Sequence, residues 1–287
     1  MEPFEREIYA HYFKAGNIVP QKCETQSVPL DFLLQKYEAF FFDAFGTFYC
    51  QRETMSPGAL EMYRKVRAAD KAMRLVTNAA SASIPQLVES LARMRIPFDE
   101  SEIVSSGSLF ADFAEKLGLR EAFYIGKPGG ASFVEAGGVK LSENPAENTV
   151  IVSATGKEDS LFETAAEILK RPGAKLVVLN PDAWAPRIGK PRDPVSGAYA
   201  HRLFLLAHPQ AFYFGKPFRP IFERALSTLP RKMKTVMIGD TLATDIGGAM
   251  NAGIDAALLV GRNEPAAELD ADEKFLGLRP NYYLSQI

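Results

Sequence analysis

Four short apolar runs in this chain each end on residues able to handle a charged oxygen. Tyr37-Glu38-Ala39-Phe40-Phe41-Phe42 stops at Asp43, and Met73-Arg74-Leu75-Val76 stops at Thr77 and Asn78. Phe212-Tyr213-Phe214 leads to Gly215 and Lys216, and Val236-Met237-Ile238 leads to Gly239 and Asp240, with Asp245 five residues on. Runs of this length, bounded by turn residues, read as buried strands. Ligands of an open parallel sheet bind beyond the carboxyl ends of its strands, so these residues would converge on one place. Carboxylate oxygens there hold Mg²⁺, the metal and the lysine neutralise phosphoryl charge, and a hydroxyl with backbone amides orients the oxygens. One carboxylate is left to attack phosphorus. A single Asp after a strand is ordinarily a cap or turn residue; four such strand ends in order describe a site for phosphate chemistry.

The elements between these ends alternate. After the second run, Ser83 reads as an N-cap with Pro85 in the first turn and Leu87, Leu91 and Met94 on one face. Ile103-Val104 followed by Leu109, Phe110, Phe113 and Leu117 repeats the strand–helix pattern, so the first third is βαβα with a mainly parallel sheet. From 121 to 208 the strands continue at Ala122–Ile125, Thr149–Val152 and Lys175–Leu179, separated by loops rich in Gly, Pro and Asn. This stretch reads as a second α/β unit inserted into the first. A helix over 220–229, a helix over 244–251 stopped by Gly253, and the run Ala256–Val260 restore the alternation. The expected class is therefore α/β: a doubly wound, Rossmann-like core made of 25–120 and 209–287, with an inserted α/β domain at 121–208. Residues 1–24 form an extension with an amphipathic Ile8–Phe13 and no assigned role.

Composition narrows the partners. The chain has 287 residues, 47% hydrophobic and 24% charged, enough for one large or two moderate cores. Its 33 basic residues against 35 acidic ones lack the excess that a phosphate backbone demands, which excludes nucleic acid as a default partner. No apolar run approaches the roughly 20 residues that cross a bilayer, and the acidic start is unlike a secretory signal. Cys23 and Cys50 could form at most one bridge, and His11, His201 and His208 are too scattered for zinc, so a reducing cytoplasm is the expected location. Gly156-Lys157 lacks the remaining residues of a P-loop.

Together, Phe41-Phe42-Asp43-Ala44-Phe45-Gly46-Thr47, Leu75–Ser81, Phe214-Gly215-Lys216-Pro217 and Ile238–Ile246 resemble the four motifs of the haloacid dehalogenase superfamily, closest to its class IIA, NagD-like branch of phosphatases. The resemblance brackets positions 37–260. It implies an inserted C2-type cap between the second and third motifs, Mg²⁺ as cofactor, and a small phosphorylated metabolite as substrate. It also implies that Asp43 is the nucleophile that becomes an aspartyl-phosphate, that Thr77 and Asn78 bind phosphate, and that Lys216 neutralises charge. Asp43, the backbone carbonyl of Phe45 and Asp240 would ligate the metal, with Asp245 supporting it from behind. Gly-Lys-Pro recurs at 126, 189 and 215, and only the last copy sits between a convincing strand and a helix.

Position 45 departs from the family. Phosphatases of this kind have Asp there, which protonates the leaving alcohol and later activates water; this chain has Phe45. A positioned acid or base is worth about 10² to 10⁴ in rate, so slow turnover is expected on alkyl phosphates and less loss on aryl or acyl phosphates. The same segment resembles the first motif of the metal-independent haloacid dehalogenases, although Asp240 and Asp245 preserve the metal-binding pattern. A phospho-ligand binding or regulatory protein with weak catalysis is a further reading. In the inserted unit, Asn180-Pro181-Asp182 resembles the segment of class IIA caps that faces the active site, so Asn180, Asp182 and Trp184 are candidates for reading the substrate; the same residues also suit turn formation and packing. Arg187, Lys190 and Arg192 read as a solvated charge run. The resemblance further suggests a homo-oligomer formed through the cap.

Overall fold

The computed structural model describes residues 1–50, 54–154, 159–185, 192–263 and 265–286. Arg187, Lys190, Gly156-Lys157 and the second Gly-Lys-Pro fall outside these residues. Phe40, Phe41 and Phe42 are all fully buried because the strand Ala39–Phe42 runs inside a seven-stranded parallel sheet covered on both faces. Phe41 packs on one side with Ile221, Phe222 and Met237, whereas Phe40 and Phe42 pack on the other with Leu33, Met62 and Val66. Each buried ring contributes on the order of 2 kcal/mol from the area it removes from water. The strand order is Gln26–Pro29, Tyr282–Gln286, Asp255–Leu258, Thr235–Gly239, Ala39–Phe42, Ala72–Thr77 and Ile103–Ser105. Ile238 is in register with Phe42, and Phe42 with Leu75, so these strands end at nearly the same height.

A second parallel sheet has the order Gln210–Tyr213, Lys175–Val178, Thr149–Val152, Glu121–Ile125 and Lys140–Leu141. One of its faces is covered by the helices Asp159–Leu169 and Ser196–Ala207. The opposite face, with Ile151, Val177 and Leu179, packs on Phe110, Ala114 and Ala80 of the first unit. This arrangement corrects the expected boundary at 208. The strand Gln210–Tyr213 pairs with Lys175–Val178 and closes the inserted sheet, so the crossing back to the core comes after Tyr213. A short aromatic run shows that a strand exists but not which sheet edge it completes.

Local signals placed the start of the helix that follows the second core run. Ser83 accepts from the Gln86 amide at 3.4 Å while the Gln86 side chain accepts from the Ser83 amide at 2.9 Å, a capping box for the helix Ile84–Arg93. Leu117, expected on the buried face of its helix, is 41% exposed. The helix expected over 244–251 is instead one π-helical turn, Leu242–Ile246, followed by Gly247–Asn251.

The first residues are not an idle extension. Pro3–Ala15 is a helix that touches both units. Its Arg6 pairs with the fully buried Asp272 of the core, and its Ile8 and Phe13 lie in the same apolar cluster as Ile246 and Leu278. On the other side Glu5 takes both ends of the Arg192 guanidinium at 2.9 and 3.1 Å, His11 bonds Tyr213 at 2.7 Å, and Phe4 meets Trp184 edge to face. Arg192 is therefore not the solvated charge expected: its side chain is 17% exposed and Glu5 is 1% exposed. A buried pair contributes little net stability, yet removing one partner strands the other charge. Glu5→Ala should lower the unfolding free energy by about 3 kcal/mol in denaturant titrations. Arg219→Ala, which breaks only an exposed i,i+4 pair with Glu223, should cost less than about 0.5 kcal/mol.

Candidate active site

Beyond the sheet's carboxyl edge, backbone geometry gathers the side chains. The Asp43 amide donates to the Ile238 carbonyl at 3.0 Å, continuing the strand pairing one residue past Phe42 and fixing where its carboxyl group begins. Across from it, the π-helical turn folds Asp245 back toward the end of its own strand. Asp245 Oδ2 accepts from the amides of Asp240 and Thr241, both at 3.0 Å, which ties down the loop carrying Asp240. Asp43, Asp240 and Asp245 each offer a carboxylate oxygen, and these three oxygens lie within 4.8 Å of one another.

Lys216 enters this group as its one buried ammonium among the described residues. Its Nζ lies 2.5 Å from Asp43 Oδ1 and 2.7 Å from Asp245 Oδ1. Burial alone would lower the lysine's pKa, but Asp245, Asp43 and Asp182 more than offset it and hold the ammonium charged. Burial also dominates at Asp43, whose pKa is pushed up to about 7 against the pull of Lys216, with Asp245 and Asp182 adding to the rise. Asp240 is pushed up well above the ordinary carboxylate range, first by burial and then by Asp43 and Asp245. Its Oδ2 is buried and meets no hydrogen-bond partner among the described residues. An all-oxygen donor set with one orphaned carboxylate oxygen fits a small, hard divalent cation.

Gly46 closes this space from the side. Its φ is +94°, and a Cβ there would come 1.8 Å from Asp240 Oδ2, so only glycine lets the loop after Asp43 pass the carboxylate. Arg262 holds that loop in place, donating to the carbonyls of Gly46, Thr47 and Pro57. Asn263 donates to Thr241 Oγ1 at 2.6 Å. Sequence reasoning missed both residues: Arg262 carries no periodicity and meets backbone oxygens more than 200 positions away, and Asn263 meets a loop hydroxyl that no local spacing marks.

The remaining expected site residues divide. Thr77, the last residue of its strand, accepts from the Ala79 amide and keeps its hydroxyl hydrogen available. Asn78 does not present its side chain to a ligand. Its Oδ1 accepts from the Lys216 amide at 2.7 Å, and its Nδ2 donates to the Lys216 carbonyl at 2.9 Å and to Asp182 Oδ1 at 2.7 Å. The side chain is a strut between core and cap, so a phosphate-binding role for Asn78 would fall to its backbone amide. Asn180 Oδ1 accepts from the Asp182 amide at 2.9 Å, the turn-making role available to it from the start. Asp43, Phe45, Thr77, Asn180, Asp182, Trp184 and Lys216 all line one cavity of about 520 Å³, a size that suits a small metabolite. Phe45 has no proton to give, and its ring meets Tyr49 edge to face at 5.8 Å.

Residues 40–140 match the haloacid dehalogenase-like hydrolase family, and residues 213–287 match the related HAD-hydrolase-like family. The chain belongs to the haloacid dehalogenase-like hydrolases. Within them it falls in the class IIA, NagD-like branch. It is 27% identical to an acid sugar phosphatase of Staphylococcus epidermidis, over 77% of this chain and 86% of the relative. It is 26% identical to mouse chronophin, over 93% and 96%. A possible sugar phosphatase of Cytophaga hutchinsonii, 24% identical, shares the fold with a TM-score of 0.81 over 91% of this chain and 98% of that one. No helix among the described residues is long and apolar enough to cross a membrane, and Cys23 and Cys50 are free thiols.

Lys216 supplies one positive charge against these three carboxyl groups, and burial adds to the cost of ionising Asp240, so a further cation would be stabilising. Mg²⁺ or Ca²⁺ should therefore raise the melting temperature of the wild-type protein. Asp240→Asn should abolish that response while raising the cation-free melting temperature by about 2 °C, the equivalent of roughly 1 kcal/mol of relieved repulsion in a chain of this size. Differential scanning calorimetry with EDTA and with each cation reads both effects.

Proposed function

We propose that this protein is a Mg²⁺-dependent phosphatase of small phosphorylated metabolites, acting through an aspartyl-phosphate on Asp43. The observation that carries this reading is the Asp43 carboxyl group, held 2.5 Å from Lys216 within the Asp240–Asp245 carboxylate group and facing the cavity. The named activity of the staphylococcal relative supports sugar phosphates as the substrate class.

Asp43, the backbone carbonyl of Phe45 and Asp240 would hold the cation, with Asp245 bracing the loop behind Asp240. When bound, Mg²⁺ supplies positive charge that keeps Asp43 ionised and offsets charge on the phosphoryl oxygens. The Asp43 carboxylate attacks phosphorus, opposite the departing oxygen. The Lys216 ammonium and the Thr77 hydroxyl meet the phosphoryl oxygens, helped by backbone amides after Thr77. A dehalogenase has no use for Asp240 and Asp245 buried beside its nucleophile, which favours phosphoryl transfer over carbon chemistry.

Phosphate release from p-nitrophenyl phosphate, acetyl phosphate and hexose phosphates, measured with Mg²⁺ or with EDTA, tests the reading. Release should depend on Mg²⁺ and fall at least about 10⁴-fold in Asp43→Asn, as expected for loss of a nucleophile. Release that persists in EDTA or in Asp43→Asn would overturn the assignment.

A further inference from the structure

We propose that Asp182 of the cap is the general acid and base of this enzyme, supplying the proton chemistry that Phe45 is unable to supply. The inference rests on the phosphatase reading and adds to it a catalytic residue on the other domain. Three carboxyl groups line the cavity among the described residues: Asp43, Asp245 and Asp182. Asp43 is the nucleophile. Asp245 is committed to Lys216 and to the amides of Asp240 and Thr241. Asp182 is the one left over.

Its position is fixed more firmly than substrate reading alone would ask. Asp182 Oδ1 accepts from Asn78 Nδ2 at 2.7 Å, and the same Asn78 nitrogen donates to the Lys216 carbonyl at 2.9 Å, so the carboxyl group is two hydrogen bonds from the backbone of the residue that touches Asp43. From the cap side, the Asp182 amide donates to Asn180 and its carbonyl accepts from Gly197 at 2.8 Å, at the start of the helix Ser196–Ala207. A Cβ on Gly197 would lie 2.2 Å from the Pro181 carbonyl oxygen and 2.6 Å from that of Asp182, so glycine is what allows this close seat. Tyr12 of the first helix in turn donates to the Gly197 carbonyl. Asp182 bonds Asn78, and the charged or titratable groups that act on it are Lys216, Asp43 and Asp245 of the core and Tyr12 of the first helix. Burial raises its pKa to about 6, against the pull of Lys216 and the Asn78 hydrogen bond, with Asp245 adding to the rise. A group poised there can both give and take a proton near neutrality.

The steps balance. As the Asp43 oxygen bonds to phosphorus, the bond from phosphorus to the leaving oxygen breaks, and that oxygen takes the Asp182 proton to depart as an alcohol. Water then attacks the aspartyl-phosphate. Asp182, now a carboxylate, takes the water's proton, the Asp43–phosphorus bond breaks, and inorganic phosphate leaves with both carboxyl groups restored.

The test is Asp182→Asn, whose amide oxygen keeps the bond from Asn78. With glycerol phosphate, whose leaving group needs a proton, kcat/KM should fall about 10²- to 10³-fold. With p-nitrophenyl phosphate the first step should survive while the second slows, giving a burst of about one p-nitrophenol per active site before a slow steady state. Adding Phe45→Asp to the variant should restore at least tenfold of the lost alkyl turnover. Equal losses on both substrates without a burst would mark Asp182 as a cap latch and overturn the assignment alone. No turnover by the wild-type protein on any phosphate would overturn the phosphatase reading and this proposal with it. Should the Asn variant fail to fold, Asp182→Ser is read by the same burst and leaving-group comparison.

Discussion

Among the described residues, three buried carboxyl groups, the half-buried Asp182 and one buried ammonium share the space beyond the core sheet, and that imbalance is the constraint around which the site is arranged. Among the described residues, Lys216 pairs directly with Asp43 and Asp245 and also pulls on Asp182 and Asp240, and Arg262 adds its pull on Asp240. Burying an ion costs several kcal/mol unless opposite charge and hydrogen bonds offset it. The chain offsets part of this with backbone amides at Asp245 and part with the shared lysine. What is left, concentrated on Asp240 Oδ2, is a standing demand for positive charge. On the proposed mechanism, catalysis and cation binding are one electrostatic fact seen from two sides: without a cation Asp43 tends to hold a proton, and a bound cation would ionise it.

The surrounding structure serves to hold that charge in place. The π-helical turn spends one helical residue to aim Asp245 backward, and Gly46 removes the side chain that would fill the space of Asp240. Arg262 then prevents the glycine loop from relaxing away. Asn78 turns a core loop, the lysine backbone and a cap carboxyl group into one rigid unit, so the two domains meet through a hydrogen-bond network as well as through the apolar contact at Phe110.

Much of this was legible in the sequence because the chemistry sits at abrupt ends of apolar runs. Asp43 follows three consecutive phenylalanines, and Asp240 follows Val236-Met237-Ile238-Gly239, so strand period and turn residue agree on where each carboxyl group emerges. The misplacement of Gln210–Tyr213 has the opposite cause: the run leads directly into the Gly215-Lys216 motif of the core, while its hydrogen bonds go to the cap. Asn78, Arg262 and the helix Pro3–Ala15 were opaque for a shared reason. Their partners lie more than 100 residues away, and nothing in local spacing encodes whether an amide will meet a phosphate or a neighbouring loop. Position 45 was legible as a missing proton, but the candidate to replace it became visible only when a cap turn and a core strand end were brought within 2.7 Å.

The first helix gives the cap a third attachment. Two chain crossings join the inserted unit to the core, and a cap on two crossings can swing as a door does on its hinge. Pro3–Ala15 lies across that hinge, bound to Asp272 on one side and to Arg192, Tyr213 and Gly197 on the other. A door bolted to its frame opens only when the bolt is drawn. In the proposed enzyme, exchange of substrate and product would pass either through the mouth of a cavity whose walls stay put or through undocking of that helix. On the second route, turnover of bulky substrates by the proposed enzyme would be coupled to the local stability of the helix Pro3–Ala15.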